Sequence, residues 1–236
     1  MRHAPSTTPA TARGQESRTV ARRPGHPESG VPERVLVRLR DGGSAFLRPL
    51  GDGEASVVQT VFEGLSSQSR QRRFLVPMPR LPGGHRRTLA DVDGDRHVAW
   101  VALVDSVPVG ICRYVRTSDD TAELAFEVVD EHQGRGIGSA LVDAVTTVAR
   151  ENGITWLEAT VEPGNTASEA LLARAGIRLV AVDGLLEGGG APHPIRWSSP
   201  VDPRAVLALA GQPASSSSTA AATSSSCRSA PCLATS

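Results

Sequence analysis

Val128-Val129-Asp130-Glu131-His132-Gln133-Gly134-Arg135-Gly136-Ile137-Gly138-Ser139 is the stretch whose reading decides the fold. A β-rich run, Ala122–Asp130, enters it. On its far side Ile137, Ala140, Leu141, Ala144, Val145 and Val148 recur at helical spacing until Asn152-Gly153. A strand thus turns through glycines straight into an amphipathic helix. The first N–H groups of a helix lack partners and sit at the positive end of its dipole, so such a junction binds phosphate oxygens. Gly134, Gly136 and Gly138 let the backbone close on a ligand. No Gly-Lys-Ser/Thr follows, which excludes a Walker loop. A dinucleotide-binding βαβ unit fits poorly, because the spacing is wrong and hairpin-like strands precede the loop. A glycine-rich strand–helix turn without a ligand is the plain alternative.

Upstream, Ser44–Leu50 predicts a strand, roughly Glu54–Glu63 a helix, and Ser66 the cap of a short second helix through Phe74. Pro and Gly punctuate 77–84. His97–Val104 and Val107–Arg116 are β-rich runs joined by Asp105-Ser106, a hairpin signal. Downstream, Thr155–Val161 is strand-like, Thr166–Ala175 helical with Gly176 as its stop, and Ile177–Val182 strand-like again. The Gly188-Gly189-Gly190 stretch before Ile195-Arg196-Trp197 suggests a mobile loop between two final strands. The predicted order is β-α-α-β-β-β-α-β-α-β, a mixed α/β domain.

The 236 residues allow one such domain with extra segments at its ends. Residues 1–33, rich in Pro, Thr, Arg and Gly, and residues 211–236, rich in Ser and Ala, have no apolar periodicity. Both are expected to be disordered, leaving 34–210 as the domain. All 25 basic residues are Arg and none is Lys, so this sequence offers no lysine side chain of its own for modification. Residues 34–210 carry 19 Arg against 22 acids, which argues against nucleic acid as a partner. No stretch approaches the roughly 20 apolar residues of a membrane span, and no signal-peptide core is present. Cys112, Cys227 and Cys232 make no disulfide framework, and no His/Asp/Glu cluster has metal-ligand spacing. A cytoplasmic protein with no metal and no membrane contact is expected; oligomeric state is not readable.

With its flanking elements, the glycine loop resembles the GCN5-related N-acetyltransferase (GNAT) family. That family's Gln/Arg-x-x-Gly-x-Gly/Ala maps onto Gln133, Gly136 and Gly138. Its second element maps onto strand Leu157–Val161, Asn165, and Leu171-Leu172-Ala173-Arg174-Ala175-Gly176-Ile177. A narrower likeness, to bacterial protein lysine acetyltransferases, is carried by Leu65-Ser66-Ser67-Gln68-Ser69-Arg70-Gln71-Arg72-Arg73-Phe74, Asp91–Ala99 and Ala122-Glu123-Leu124-Ala125-Phe126. The resemblance implies a mixed, mostly antiparallel sheet splayed at the cofactor site with flanking helices. It also implies acetyl-CoA as cosubstrate and direct acetyl transfer to an amine, a protein lysine or a small molecule. A silent acyl-CoA-binding module is the rival reading.

On that resemblance, Gln133 and Gly134 belong to the loop, and the N–H groups of Arg135, Gly136, Ile137, Gly138 and Ser139 hold the pyrophosphate. The backbone of Val128 and Val129 pairs with the pantetheine arm. Asn165 contacts the cofactor, or caps the helix Thr166–Ala175, or both. Glu123 is the candidate general base; Glu127 shares its face at period two and is its rival. Leu172 stands where much of the family has a Tyr, and Tyr114, this chain's single Tyr, lies on another element. Arg70, Arg72 and Arg73 are expected on a solvated helix face, the alternative being contact with an acidic substrate surface or the 3′-phosphate of CoA. His97 and His132 are expected to be structural or exposed, and Cys112 to be a small core residue.

Overall fold

The structure, a computed structural model, describes residues 34–193 and positions 204, 208 and 210. The N-terminal segment 1–33, the tail 211–236 with Cys227 and Cys232, and Ile195-Arg196-Trp197 lie outside the described residues. In chain order the elements are β1 (Val35–Arg38), β2 (Ser44–Pro49), α1 (Ala55–Glu63), α2 (Ser67–Phe74), α3 (Gly83–Ala90), β3 (His97–Val104), β4 (Val107–Arg116), β5 (Thr121–Val128), a 3-10 turn Asp130–His132, α4 (Ile137–Glu151), β6 (Trp156–Val161), α5 (Thr166–Arg174), β7 (Arg178–Val182) and β8 (Leu185–Gly190). The strands form one sheet in the order β1-β2-β3-β4-β5-β6-β8-β7. Every neighbouring pair is antiparallel except β5 and β6.

Local chemistry accounts for most boundaries. Asp105 and Ser106 both take positive φ, which suits the right-handed twist of the β3–β4 hairpin. Ser66 accepts from the Ser69 N–H and starts α2. Gly153, at φ +79°, follows the α4 C-cap Asn152. The two faces of the sheet bury separate cores. Trp100, Cys112, Tyr114, Leu124 and Leu157 pack with Leu141, Val145 and Val148 of α4 and Leu172 of α5. On the opposite face Ala99, Val101 and Ile111 pack with Val58, Val61 and Phe62 of α1 and Ala90 of α3. We call the second face the front.

Three elements depart from the sequence reading. β1 was not expected; it is a four-residue edge strand with Val35 and Val37 inward. The helix α3 occupies part of the segment read as Pro/Gly punctuation, because Pro82 and the two glycines stand at its N-terminal end. Gly188-Gly189-Gly190 is not a mobile loop but part of β8, inserted between β6 and β7. The glycines are there because flanking backbones crowd them: a Cβ at Gly188 would stand 1.8 Å from the Arg178 carbonyl oxygen, and one at Gly190 2.1 Å from that of Gly176.

Candidate active site

The parallel ladder between β5 and β6 lasts three residues, Thr121↔Trp156, Ala122↔Leu157 and Glu123↔Glu158. Past Glu123 and Glu158 the strands part. β5 continues beside β4 to Val128, and β6 continues beside β8 to Val161. The opening is a cleft of about 360 Å³, floored by residues 124–128 of β5 and 159–161 of β6, and walled by α2, α5 and the start of α4. This is the splayed sheet that the resemblance implied.

At the cleft's inner end stands the glycine loop. Gly134 and Gly136 take φ +74° and +97°, a region open to glycine and costly for other residues. The N–H groups from Gly134 through Ser139 donate to no protein acceptor among the described residues, so they remain for a ligand. The loop is fixed from outside. The Arg40 N–H donates to the Arg135 carbonyl at 3.0 Å, and Arg135 Nε reaches Asp41 Oδ2 at 2.5 Å. The Arg135 hydrogen bond, with the Gly43 N–H, holds the Asp41 carboxyl below its usual range. Arg135 also meets His132 Nδ1 at 2.8 Å. Gln133 Nε2 donates to the Val128 carbonyl at 3.0 Å, tying the loop to the end of β5.

Of the residues singled out in the sequence, Glu123, Val128, Gln133, Gly134, Gly136, Ile137, Gly138, Ser139 and Asn165 line the cleft. Arg135 contributes its backbone and braces the loop, and its side chain turns away to Asp41. Val129 is not brought to the cleft. Its N–H donates to Val109, its carbonyl accepts from His132, and its side chain packs on the front core. Asn165 Oδ1 accepts from the Ser168 N–H, so the capping reading holds, and the residue lines the cleft.

The two candidate carboxylates differ in their surroundings. Glu123 is exposed at the base of the split, and its carboxylate makes no ion pair or hydrogen bond among the described residues. Glu127 is buried. It pairs with Arg73 of α2 and lies 3.5 Å from the Nη2 of Arg113, a residue only 2% exposed. Arg113 is anchored in turn to the Leu89 carbonyl at 2.6 Å. Burial lowers the Arg113 pKa, and the Glu127 charge acts against that shift. Burial and the neighbouring Arg113 charge likewise hold the His97 ring down.

The solvated-face reading of α2 is corrected by these contacts. Arg70 donates to the carbonyls of Phe62, Glu63 and Pro79, Arg73 pairs inward, and Arg72 faces Glu162 at 4.0 Å across the cleft. Because α2 buries no apolar residue, polar contacts hold it at both ends. Asp130 receives the Ser66 N–H and the hydroxyls of Ser66 and Ser69 at 2.8–2.9 Å. No composition or periodicity signal in the sequence pointed to the Arg73–Glu127–Arg113 chain or the Asp130 clamp. Leu172 is fully buried. Tyr114 receives a hydrogen bond from Asn152 Nδ2 at 2.7 Å, and burial raises its pKa to about 12. Among the described residues, no group of three or more His, Cys, Asp or Glu is placed to hold a metal, and no helix is long and apolar enough to cross a membrane.

Residues 66–177, which hold most of the cleft, match the acetyltransferase (GNAT) family. The GNAT domain of S. lividans PAT is 31% identical and superimposes with a TM-score of 0.64, over 70% of this chain and 99% of that one. The chain belongs to the GNAT family. Like other GNAT members it is an acetyl-CoA-dependent N-acetyltransferase, with the open, mostly antiparallel sheet of that fold. Acetyltransferase Pat of Mycolicibacterium smegmatis is 30% identical over 153 residues, which are 63% of this chain and 46% of Pat. The L-2,4-diaminobutyric acid acetyltransferase of Streptomyces coelicolor is 44% identical over 81 residues, 31% of this chain and 48% of that enzyme. The match thus spans about half the length of these two GNAT relatives.

Proposed function

We propose that this GNAT enzyme acetylates a protein lysine, by direct attack of the amine on acetyl-CoA with Glu123 as general base. The observation that carries the reading is the coincidence of three features in one cleft: the sheet split, the unpartnered N–H groups at the start of α4, and an unpaired carboxylate where the split begins. Similarity to PAT and Pat, over a larger share of this chain than to the diaminobutyric acid acetyltransferase, favours the protein acceptor.

Bound acetyl-CoA supplies a thioester carbonyl open to attack and a thiolate as leaving group. The loop fits its pyrophosphate, since the N–H groups of Arg135, Gly136, Ile137, Gly138 and Ser139 have no protein acceptor among the described residues and stand at a helix start. Gln133 holds the end of β5, so Val128 presents a fixed backbone edge to the pantetheine arm. Asn165 caps α5 with its oxygen and offers its Nδ2 to the same arm. The incoming lysine arrives as an ammonium and must lose a proton before it attacks. Glu123, exposed and unpaired, takes that proton directly or through one water. Glu127 is unsuited to the task because both its oxygens serve arginines. Neither candidate phenol position serves to protonate the thiolate: Leu172 is apolar, and the Tyr114 hydroxyl is engaged by Asn152. As the C–N bond forms and the C–S bond breaks, the nitrogen's second proton passes through water to the departing sulfur or to solvent. Acetyl-CoA is held in the cytoplasm, and we place the enzyme there.

The test is acetyl transfer to a lysine-bearing protein beside 2,4-diaminobutyrate, followed by thiol release and mass spectrometry. Acetyl-lysine on the protein is expected. Acetylation of diaminobutyrate alone overturns the acceptor, and acetyl-CoA binding without any transfer overturns the reaction.

A further inference from the structure

Among the described residues, no helix covers the outer half of the sheet's front face beyond α2, which meets the end of β5 at Glu127. α1 and α3 cover its inner strands, α4 and α5 lie on the other side, and the forward-pointing residues of β5, β6, β8 and β7 face outward. Strand register arranges them in rows. One row runs Val115, Glu123, Glu158, Gly189, Arg178 across five strands. The next holds Thr160, Glu187 and Val180. Trp156 stands two residues before Glu158 on the same side and is 46% exposed. Gly189 makes room for it: a Cβ there would lie 2.4 Å from Trp156 Nε1, so the indole rests against the β8 backbone.

This face is costly to leave bare. Val115, Trp156 and Val180 are each exposed on it, set around the Glu123–Glu158 row. Glu123 and Glu158 are direct cross-strand neighbours, about 4.8 Å apart at Cα, and like charges so placed repel. Neither carboxylate has a counter-ion among the described residues. A cation between them removes the repulsion, and the indole adds an attractive face for it. From Glu123 to Arg178 the row spans three strand spacings, on the order of 14 Å, room for several residues of extended chain rather than one small amine.

We propose that this uncovered face is the docking surface for the acceptor polypeptide, a lysine-bearing segment with a second positive charge near the lysine, received by Glu158 and Trp156. The inference rests on the lysine-acceptor reading above and adds to it the recognition of a neighbouring cation. Glu123 takes the reacting ammonium, and Glu158, one strand over, takes the neighbouring charge.

Two N-acetylated peptides test it, identical except for arginine or glutamine two residues from the lysine. The wild type is expected to show kcat/KM about fivefold higher for the arginine peptide, an advantage that high salt erases. Glu158→Gln is expected to abolish the advantage, bringing the arginine peptide down to the glutamine one. Trp156→Ala is expected to raise KM for the arginine peptide more than it changes kcat. Acetyl-CoA binding by calorimetry shows whether each variant keeps its fold. An unchanged arginine preference in folded Glu158→Gln, or lysine acetylation without preference in the wild type, overturns the docking surface and spares the lysine reading. Transfer to 2,4-diaminobutyrate and to neither peptide overturns the lysine reading, and the docking surface with it.

Discussion

Arg73 of α2 pairs across the cleft with Glu127 at the end of β5, closing a chain that continues to the buried Arg113. Glu123, four residues earlier on the same face, has no such partner among the described residues. Position in the sequence cannot separate the two carboxylates; their surroundings do.

The first prediction follows from that contrast. Glu123→Gln changes an exposed side chain, so urea unfolding should be nearly unmoved while kcat/KM falls about 10²–10⁴-fold, the usual worth of a general base. Glu127→Gln leaves Arg113 buried without its counter-charge, a defect of about 3–5 kcal/mol, visible as a lower urea midpoint. If instead Glu127→Gln folds like the wild type and loses turnover selectively, the assignments of the two residues exchange.

The second concerns the glycine loop. Gly136 is at φ +97° with the Arg40 side chain above it, so Gly136→Asp brings strain and an anion to the phosphate cradle. Acetyl-CoA binding by calorimetry should vanish. Gly138 has no positive φ, and a Cβ there meets Leu171 Cδ2 at 3.4 Å, an ordinary contact. Gly138→Ala should therefore keep binding within about tenfold, a change of roughly 1.4 kcal/mol or less. Equal loss in both variants would mean that the backbone conformation at 136 is not what the ligand requires.

These two positions also show what the sequence could and could not reveal. The loop was legible because glycine spacing, a preceding strand and a following helix are all local patterns. β8 was not, because its glycines answer to the carbonyls of Arg178 and Gly176, which only the folded sheet brings near. The helix α2 was found from its cap, yet its arginines were assigned to solvent. Hydropathy cannot tell a guanidinium facing water from one facing Glu127 or the carbonyls of Phe62 and Glu63. β1 is short and lies at an edge, and α3 begins in residues that usually break helices.

Acid stability supplies the third prediction. Partial burial raises the Asp130 pKa, but bonds from the Ser66 N–H and the hydroxyls of Ser66 and Ser69 outweigh it, and the net shift is downward. The Asp41 pKa is lowered too, first by its bond to Arg135. A carboxyl whose folded pKa lies below its unfolded value, about 3.9, stabilises the fold above that value and loses this contribution as pH falls through the folded pKa. Stability should thus decline below about pH 4. Asp130→Asn should flatten that decline while lowering stability at neutral pH, where the carboxylate clamps α2. An unaltered acid limb in urea unfolding from pH 2 to pH 7 would show that the clamp is not coupled to folding.

The last prediction addresses the proton for the leaving thiolate. Tyr114 is the only phenol in the chain, and burial, which raises its pKa to about 12, keeps it protonated but makes it a weak acid. Its place is no better: the hydroxyl is bonded to Asn152 at the end of α4, and the residue is absent from the cleft lining. Tyr114→Phe removes one buried hydrogen bond, which should lower stability by about 1 kcal/mol. It should leave kcat and the alkaline limb of its pH profile where they were. Loss of that limb in the variant would make Tyr114 the acid and require α4 and β4 to open during turnover. Retention means that Tyr114 does not protonate the thiolate, as expected from its absence from a cleft where the apolar Leu172 is buried.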